Sequence, residues 1–225
     1  MAISVDNTGF DATVGSATQS FGFTVGSGSD RIVFLSVIVI ISGAGTYVSA
    51  ATVGGNAAIL ISSQSYIDGG SAILNNFYYS LAPAIGSVTI AVTTAAVPTV
   101  IVTSVASYFG VKQTSPINVA NNLNTGSSSS YTIGLTPSVP NCWAAASIEN
   151  HFSNISVSSG CVFRSTPPGG AGVFDSNGTI TASALHNFVV TATPTPSFWS
   201  GVMVAFEPAV VAAGNNYYGY VGYYQ

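Results

Sequence analysis

The side chains that could do acid–base chemistry are few and scattered. Hydrolysis of glycosides needs two carboxylates held about 5 to 10 Å apart, and the spacing of the acidic residues singles out no such pair. Glu149 and His151 are two positions apart on one predicted strand, so they would share a face. A hydrogen-bonded pair near a strand end is the favoured interpretation of them. The seven acidic residues are Asp6, Asp11, Asp30, Asp68, Glu149, Asp175 and Glu207.

Other catalytic motifs are also missing from the sequence. It contains no G-x-S-x-G elbow to activate a serine. Gly26-Ser27-Gly28 precedes a predicted strand, so it does not match a phosphate loop, which opens a helix. Asp175-Ser176-Asn177-Gly178 is similar to the start of a calcium loop but lacks the later glutamate, which favours a tight turn. We therefore predict a non-enzymatic protein with no catalytic residue and no cofactor.

The two cysteines, Cys142 and Cys161, lie 19 positions apart. A disulfide between them would contribute about 3 kcal/mol but would require an oxidising compartment. Two small buried apolar side chains are the favoured alternative. Only His151 and His186 could join them as metal ligands, and no paired spacing such as C-x2-C is present. We predict no metal site.

The composition is poor in charge. Charged residues make up 4% of the chain, and the net charge is −4, whereas soluble domains carry about 25% charged residues. Serine and threonine, 32 and 21 residues, supply most of the polar groups. A surface without charges tends to associate, so we expect neighbouring subunits to cover much of it. A stable extracellular domain solvated by Ser, Thr, Asn and Gly is the alternative.

Composition also limits the partners and the location. Arg31, Lys112 and Arg164 are the only basic residues, too few to neutralise nucleic-acid phosphates. The longest apolar run, Ile32–Ile41, is half the length that a membrane helix needs, about 20 residues. Met1–Gly9 lacks the basic and apolar regions of a signal peptide. We expect a virion or extracellular protein, released by lysis or a leaderless route, with no nucleic-acid partner and no membrane insertion.

Strand signals dominate, and helix signals are nearly absent. Ser87–Thr93 alternates between apolar and polar residues, as a strand with one solvent face does. Ile32–Ile41 is apolar on both sides, so its second face must meet a neighbouring sheet, a loop or another subunit. Together these patterns predict an all-β fold: a two-sheet antiparallel sandwich, jelly-roll-like, with residues 1–207 as a single domain. Asn121–Ser130 is predicted to be a flexible connection. The predicted strands are Gln19–Val25, Arg31–Ile41, Ala57–Tyr66, Ala72–Leu81, Ser87–Thr93, Thr99–Phe109, Tyr131–Leu135, Cys142–His151, Val162–Arg164, Thr179–Ala184, Phe188–Thr193 and Ser197–Phe206.

The end of the chain has a different composition. Residues 208–225 are small and apolar at first and then rich in Gly and Tyr, and five of the eleven tyrosines lie there. Tyrosine offers a large contact area at low entropic cost and is enriched in interfaces. We predict a C-terminal docking arm at 208–225 that orders against a neighbour; a frayed end is the alternative. The predicted interface residues are Tyr217, Tyr218, Tyr220, Tyr223 and Tyr224.

Several stretches resemble a recurring β-sandwich module of bacteriophage and bacterial surface proteins. They are Arg31–Val37 (RIVFLSV), Ala51–Ala58 (ATVGGNAA), Phe77–Ile90 (FYYSLAPAIGSVTI), Val105–Val111 (VASYFGV) and Gln113–Pro116 (QTSP). The repeated elements of that module are turns and strand cores, so the resemblance transfers no catalytic residue. It implies a virion fibre, a head decoration or an adhesin.

Composition, fold and resemblance together predict a structural subunit of a tailed-bacteriophage virion. A head decoration or a fibre-like protein that self-associates, with a trimer as the expected homo-oligomer, fits best. A glycan-binding adhesin, a receptor-binding protein and the subunit of an extracellular filament are the alternatives. For glycan binding, Phe77 and Tyr79 share one strand face and Tyr78 lies on the other, but core packing and a covered sheet face are the favoured interpretation.

Overall fold

The computed structural model describes residues 2–42, 48–150, 153–165 and 170–210. Over these ranges the chain forms antiparallel β-strands, and no helix long and apolar enough to cross a membrane is found among them. The first nine strands are β1 (Ser4–Val14), β2 (Thr18–Val25), β3 (Ile32–Ser42), β4 (Val48–Val53), β5 (Asn56–Ala57), β6 (Ile59–Asp68), β7 (Ser71–Leu81), β8 (Gly86–Thr94) and β9 (Val100–Phe109). The other eight are β10 (Ile117–Thr125), β11 (Ser130–Leu135), β12 (Trp143–Glu149), β13 (Asn154–Ser159), β14 (Val162–Phe163), β15 (Ala171–Asp175), β16 (His186–Thr193) and β17 (Trp199–Phe206).

The strands form four sheets, two from each half of the chain. In half 1, residues 2–111, the inner sheet has the order β1-β9-β3-β7-β6 and the outer sheet the order β2-β8-β4-β5. In half 2, residues 112–210, the inner sheet has the order β10-β17-β12-β15-β14 and the outer sheet the order β11-β16-β13. Each half encloses its own apolar core, and a third cluster joins the two inner sheets. The layers therefore stack as outer, inner, inner, outer.

Half 1 has the strand arrangement of a jelly roll. Its chain passes repeatedly between the inner and the outer sheet, so that β1-β9-β3-β7 faces β2-β8-β4-β5, as in a double-sheet jelly roll. Half 2 has the same arrangement with an outer sheet of three strands. The predicted all-β, jelly-roll-like antiparallel sandwich is confirmed. The structure adds a second pair of sheets to the one that the sequence analysis predicted.

The second pair of sheets explains why β3 is apolar on both sides. Val33 and Leu35 point into the core of half 1, whereas Ile32 and Phe34 lie in the cluster between the inner sheets. Because successive side chains of a strand point to opposite faces, a strand covered on both faces reads as continuous apolar sequence. The second apolar face of β3 is thus covered by a sheet from the other half of the same chain.

The two halves repeat the same topology. The sheet orders of half 1 become those of half 2 when β1 to β4 are replaced by β10 to β13, and β6 to β9 by β14 to β17. The two-residue β5 has no equivalent in half 2. The equivalent residues have diverged, since β3 reads IVFLSVIV where β12 reads WAAASIE followed by Asn150. The repeat is therefore visible in strand order and register rather than in residue identity.

The halves pack about an approximate twofold axis. Ile32 pairs with Tyr108 in β9, and Trp143 pairs with Phe206 in β17, which makes Ser36 and Ser147 equivalent positions four residues further on. These two hydroxyls form a hydrogen bond of 2.6 Å with each other. Several contacts between strands are also reciprocal: β9 contacts β15 and β17 contacts β7, while β3 contacts β15 and β12 contacts β7. The contacts of β6 with β10 and β17 have no counterpart of similar extent at β14. Self-complementary contact of this kind defines an isologous interface.

Some predicted element boundaries were wrong. Asn121–Thr125, predicted as part of a flexible connection, belongs to β10 and pairs with β17 along its length. Thr179–Ala184, predicted as a strand, is a turn region with one isolated bridge at Ile180. The asparagines of β10 resemble loop composition, but they bond to neighbouring elements: Asn121 donates to Gly134 O at 2.7 Å and Asn124 to Ser65 O at 3.3 Å.

Candidate interaction surfaces

The basic side chains are all bonded within the fold. Arg31 donates to the carbonyl oxygens of Gly28 and Pro83 at 2.8 and 3.0 Å. Lys112 Nζ lies 2.7 Å from Glu207 Oε2. The hydrogen bond from Lys112, with a smaller contribution from Asn118, lowers the pKa of Glu207 against the opposing effect of burial. Arg164 forms two hydrogen bonds with the carboxylate of Asp175, at 2.6 and 2.8 Å. The positive charges thus hold the fold together instead of forming a binding patch.

Most carboxylates are also used inside the molecule. Six of the seven acidic side chains accept hydrogen bonds from protein groups. Asp6, for example, accepts from the backbone N–H of Gly26 at 2.7 Å and from Ser107 Oγ at 2.8 Å. The charged groups therefore contribute little to a solvent-facing field. Hydroxyls, amides and apolar side chains make up most of the surface.

Two carboxylates of half 2 are buried against tyrosines of half 1. Tyr66 donates to Glu149 Oε2 at 2.6 Å, and Tyr108 donates to Asp175 Oδ2 at 2.8 Å. Burial, with the neighbouring carboxylate charge as the second cause, raises the pKa of both phenols well above the ordinary value. These tyrosines therefore remain protonated donors that tie the halves together, rather than proton acceptors for catalysis.

A neutral polar cluster lies between the inner sheets. Ser147 Oγ bonds to Ser36 Oγ and donates to Asn75 Oδ1. The Asn75 amide donates to the carbonyl oxygens of Ser147 and Ser200 at 3.3 and 3.2 Å. All four side chains are buried. Because its groups are bonded to one another across the interface, this cluster aligns the halves and offers no reactive group.

The acid and imidazole pair suggested by the sequence is only partly described. Glu149 is buried, 1% exposed, and holds Tyr66, whereas His151 lies outside the described residues. Among the residues that the structure describes, no three His, Cys, Asp or Glu side chains gather as a metal site. Asp175 is held by Arg164, and Asn177 N donates to its Oδ1 at 2.8 Å, which is the geometry of a turn.

Both cysteines are free, buried thiols. Burial is the main reason that the pKa of Cys142 rises to about 11 and that of Cys161 to about 12. A thiol is reactive only as the thiolate, so neither side chain is activated near neutral pH. They pack in the core of half 2, as the interpretation of small apolar residues predicts.

The aromatic strand β7 has the predicted alternation, and its rings pack on both sides of the sheet. Phe77 and Tyr79 point toward half 2. Between the inner sheets, Phe77 stacks on Phe34 of the neighbouring strand β3, with ring centroids 5.3 Å apart. Tyr78 points into the core of half 1 and is 7% exposed. Both faces of the strand are covered, one of them by the other half of the chain.

An apolar groove of about 330 Å3 opens at one side of half 1, between the edge of its outer sheet and the edge of its inner sheet. We call it the edge groove. None of the described residues that line it is charged, and four are alanines. Ile59 and Leu60 beside it are 52% and 48% exposed. The sequence did not predict this groove. The one sequence signal for the groove is the run of small residues on both sides of Gly54-Gly55. The lining residues are Val48, Ser49, Ala50, Ala51, Thr52, Ala57, Ala58, Leu60 and Tyr78.

A second uncharged surface lies at the end of the molecule where the described chain begins and ends. A groove of about 380 Å3 is lined there by residues of both ends, including Ile3 and Ala209. Ile85 and Leu185, which directly precede the equivalent strands β8 and β16, are 58% and 66% exposed. Val210, the last described residue, is 86% exposed. The five predicted interface tyrosines, Tyr217, Tyr218, Tyr220, Tyr223 and Tyr224, lie outside the described residues.

Comparisons with known proteins give no family assignment. No protein-family model matches the sequence, and no curated protein matches it.

Proposed function

We propose that the chain is a non-enzymatic structural subunit of a tailed-bacteriophage virion, a head decoration or fibre-like protein that self-associates and docks on the particle. The observation that supports this most is the use of the charged side chains inside the fold, which leaves the outer faces with few charges to keep copies apart. The two stacked jelly rolls, tied by buried hydrogen bonds, would supply a rigid block with uncharged grooves at its sides.

The native mass of the full chain tests the proposal. Sedimentation velocity over a range of concentrations should show association into a defined oligomer, with a trimer expected, or into a filament. A protein that stays a single copy at the highest concentration reached overturns the proposal. Binding of a soluble glycan by single copies would favour the adhesin instead.

Removal of Gly214–Gln225 tests the docking arm. The shortened chain should keep its circular dichroism spectrum and lose incorporation into particles, because the five tyrosines go with it. Unchanged incorporation would contradict the role of the arm while leaving self-association open to the sedimentation test.

A further inference from the structure

The edge groove has a counterpart in half 2 that is filled. In half 1, Leu60 of β6 pairs in register with Tyr78 of β7. In half 2, Phe163 of β14 pairs with Phe174 of β15. Since β14 and β15 are the equivalents of β6 and β7, Phe163 occupies the position of Leu60, and Phe174 that of Tyr78.

The two equivalent positions differ in what covers the inner aromatic ring. Phe163 stacks on Phe174 with centroids 4.3 Å apart and an interplanar angle of 5°, and Cys161 is buried beside them. In half 1 the same places hold Leu60 and Ala58, which are smaller, and the groove opens over Tyr78. The Phe163 ring lies against Gly172, where a Cβ would collide with it, and the equivalent residue of half 1 is the buried Asn76. Half 1 therefore has smaller side chains at this edge, and they leave a groove beside Tyr78.

The wall of the groove formed by β4 can also accept backbone. β4 pairs with β8 on one side, but β5 covers its other side only at Thr52 and Val53. Val48–Ala50 therefore has no neighbouring strand on the outer side among the described residues. An extended segment can add to such an edge through main-chain hydrogen bonds while its side chains enter the groove.

The segment that best fits this chemistry is the end of the chain itself. Residues 211–225 contain no charged residue and include five tyrosines. They follow Val210, which is 86% exposed, and 15 residues span at most about 50 Å when extended. Ala209 N donates to Gly110 O, so the described chain ends beside β9, whereas the groove lies at the far edge of the same sheet beyond β3 and β7.

We propose that the edge groove of one copy binds a tyrosine of the C-terminal segment 211–225 of a second copy, with the ring packed against Leu60 and the alanines of the groove. This inference rests on the proposed self-association and names its site. Each copy carries both a groove and a segment, so the contact can propagate or close into a ring.

Filling the groove in the full chain tests the inference. Leu60→Phe places a larger side chain in the groove, and it should raise the dissociation constant for self-association about tenfold or more. Ala50→Leu, which fills the same groove from β4, should do likewise and provides a second variant if Leu60→Phe misfolds. Ile67→Phe is the matched control: it adds the same ring to the same strand at an exposed position, 71%, away from the groove.

Mixing two variants separates the partners. A variant with serine at all five C-terminal tyrosines retains the groove, and Leu60→Phe retains the segment. Each alone should associate at least about tenfold more weakly than wild type, and their mixture should form a heterodimer by sedimentation at a concentration where neither variant associates with itself. No heterodimer, with both variants folded, overturns the inference and indicates that the groove takes the segment of its own chain. If wild type associates and Leu60→Phe associates equally well, the groove inference fails while self-association stands. A monomeric wild type would contradict both the groove inference and the proposed self-association.

Discussion

At the residue scale, charge in this protein acts as internal structure. Asp175 is fully buried. Its carboxylate accepts two hydrogen bonds from Arg164 and one from Tyr108 of the other half. Glu149 holds Tyr66 in the same way across the interface. A buried carboxylate is tolerable only when its oxygens are bonded, so each of these residues depends on both halves being in place.

Replacing Asp175 tests this role. Asp175→Asn should lower the free energy of unfolding by about 3 kcal/mol or more, because Arg164 loses its counter-ion in a site that is largely shielded from water. Chemical denaturation measures the change. The control is Asp30→Asn, which removes the same charge at a position with φ of 55°, a conformation that asparagine tolerates. It should shift stability by no more than about 0.5 kcal/mol. Equal effects of the two substitutions would contradict the internal role of Asp175.

At the element scale, the closeness of neighbouring layers limits side-chain size. Gly201 in the central strand β17 faces Tyr131 of the outer sheet, and a Cβ at 201 would collide with the Tyr131 hydroxyl oxygen. That ring cannot move freely, because it stacks on Trp199 with centroids 5.3 Å apart and its hydroxyl donates to Leu123 O at 2.7 Å. β17 can therefore run this close to the outer sheet only with glycine at this position.

Gly201→Ala should destabilise the protein by about 1 to 3 kcal/mol through overpacking. Gly126→Ala is the matched control, because a Cβ there meets nothing within 4 Å, and the substitution should leave stability unchanged or raise it by up to about 1 kcal/mol. Thermal unfolding of both variants distinguishes them. If Gly201→Ala were as stable as wild type, the tight packing of β17 on Tyr131 would be wrong.

At the scale of the whole molecule, two jelly-roll-like halves share a buried interface. Phe34, Tyr108 and Phe206 pack together between the inner sheets, with ring centroids 5.1 to 5.9 Å apart. Interfaces between domains of one chain are usually smaller and more polar and permit relative motion. Here an apolar cluster and several buried hydrogen bonds join the halves. We therefore expect residues 1–207 to unfold as one cooperative unit, as the prediction of a single domain requires.

Phe188→Ala, in the core of half 2, tests the coupling. It should cost about 3 to 5 kcal/mol, and hydrogen exchange read by mass spectrometry should show the same loss of protection in β3 of half 1 as in β12 of half 2. Calorimetry should show one transition. Two transitions, with protection of β3 unchanged, would mean that each jelly roll unfolds by itself.

The sequence by itself determined the fold class and the shortage of surface charge. Both follow from local chemistry: alternating and doubly apolar strands bounded by turn residues, as in β8 and β3, need no knowledge of distant contacts. Its predictions failed where composition and structure diverge, since the asparagines of β10 resemble a loop until their bonding partners are known.

Only the tertiary structure decided what covers β3, that the fold is repeated, and where an uncharged groove opens. Strand order depends on contacts between residues far apart in the chain, and the equivalent residues Leu60 and Phe163 share no identity. The edge groove opens where half 1 has Leu60, and half 2 has at the same position Phe163, whose ring packs on Phe174. That difference acquires meaning only when the register places both residues opposite equivalent aromatic rings.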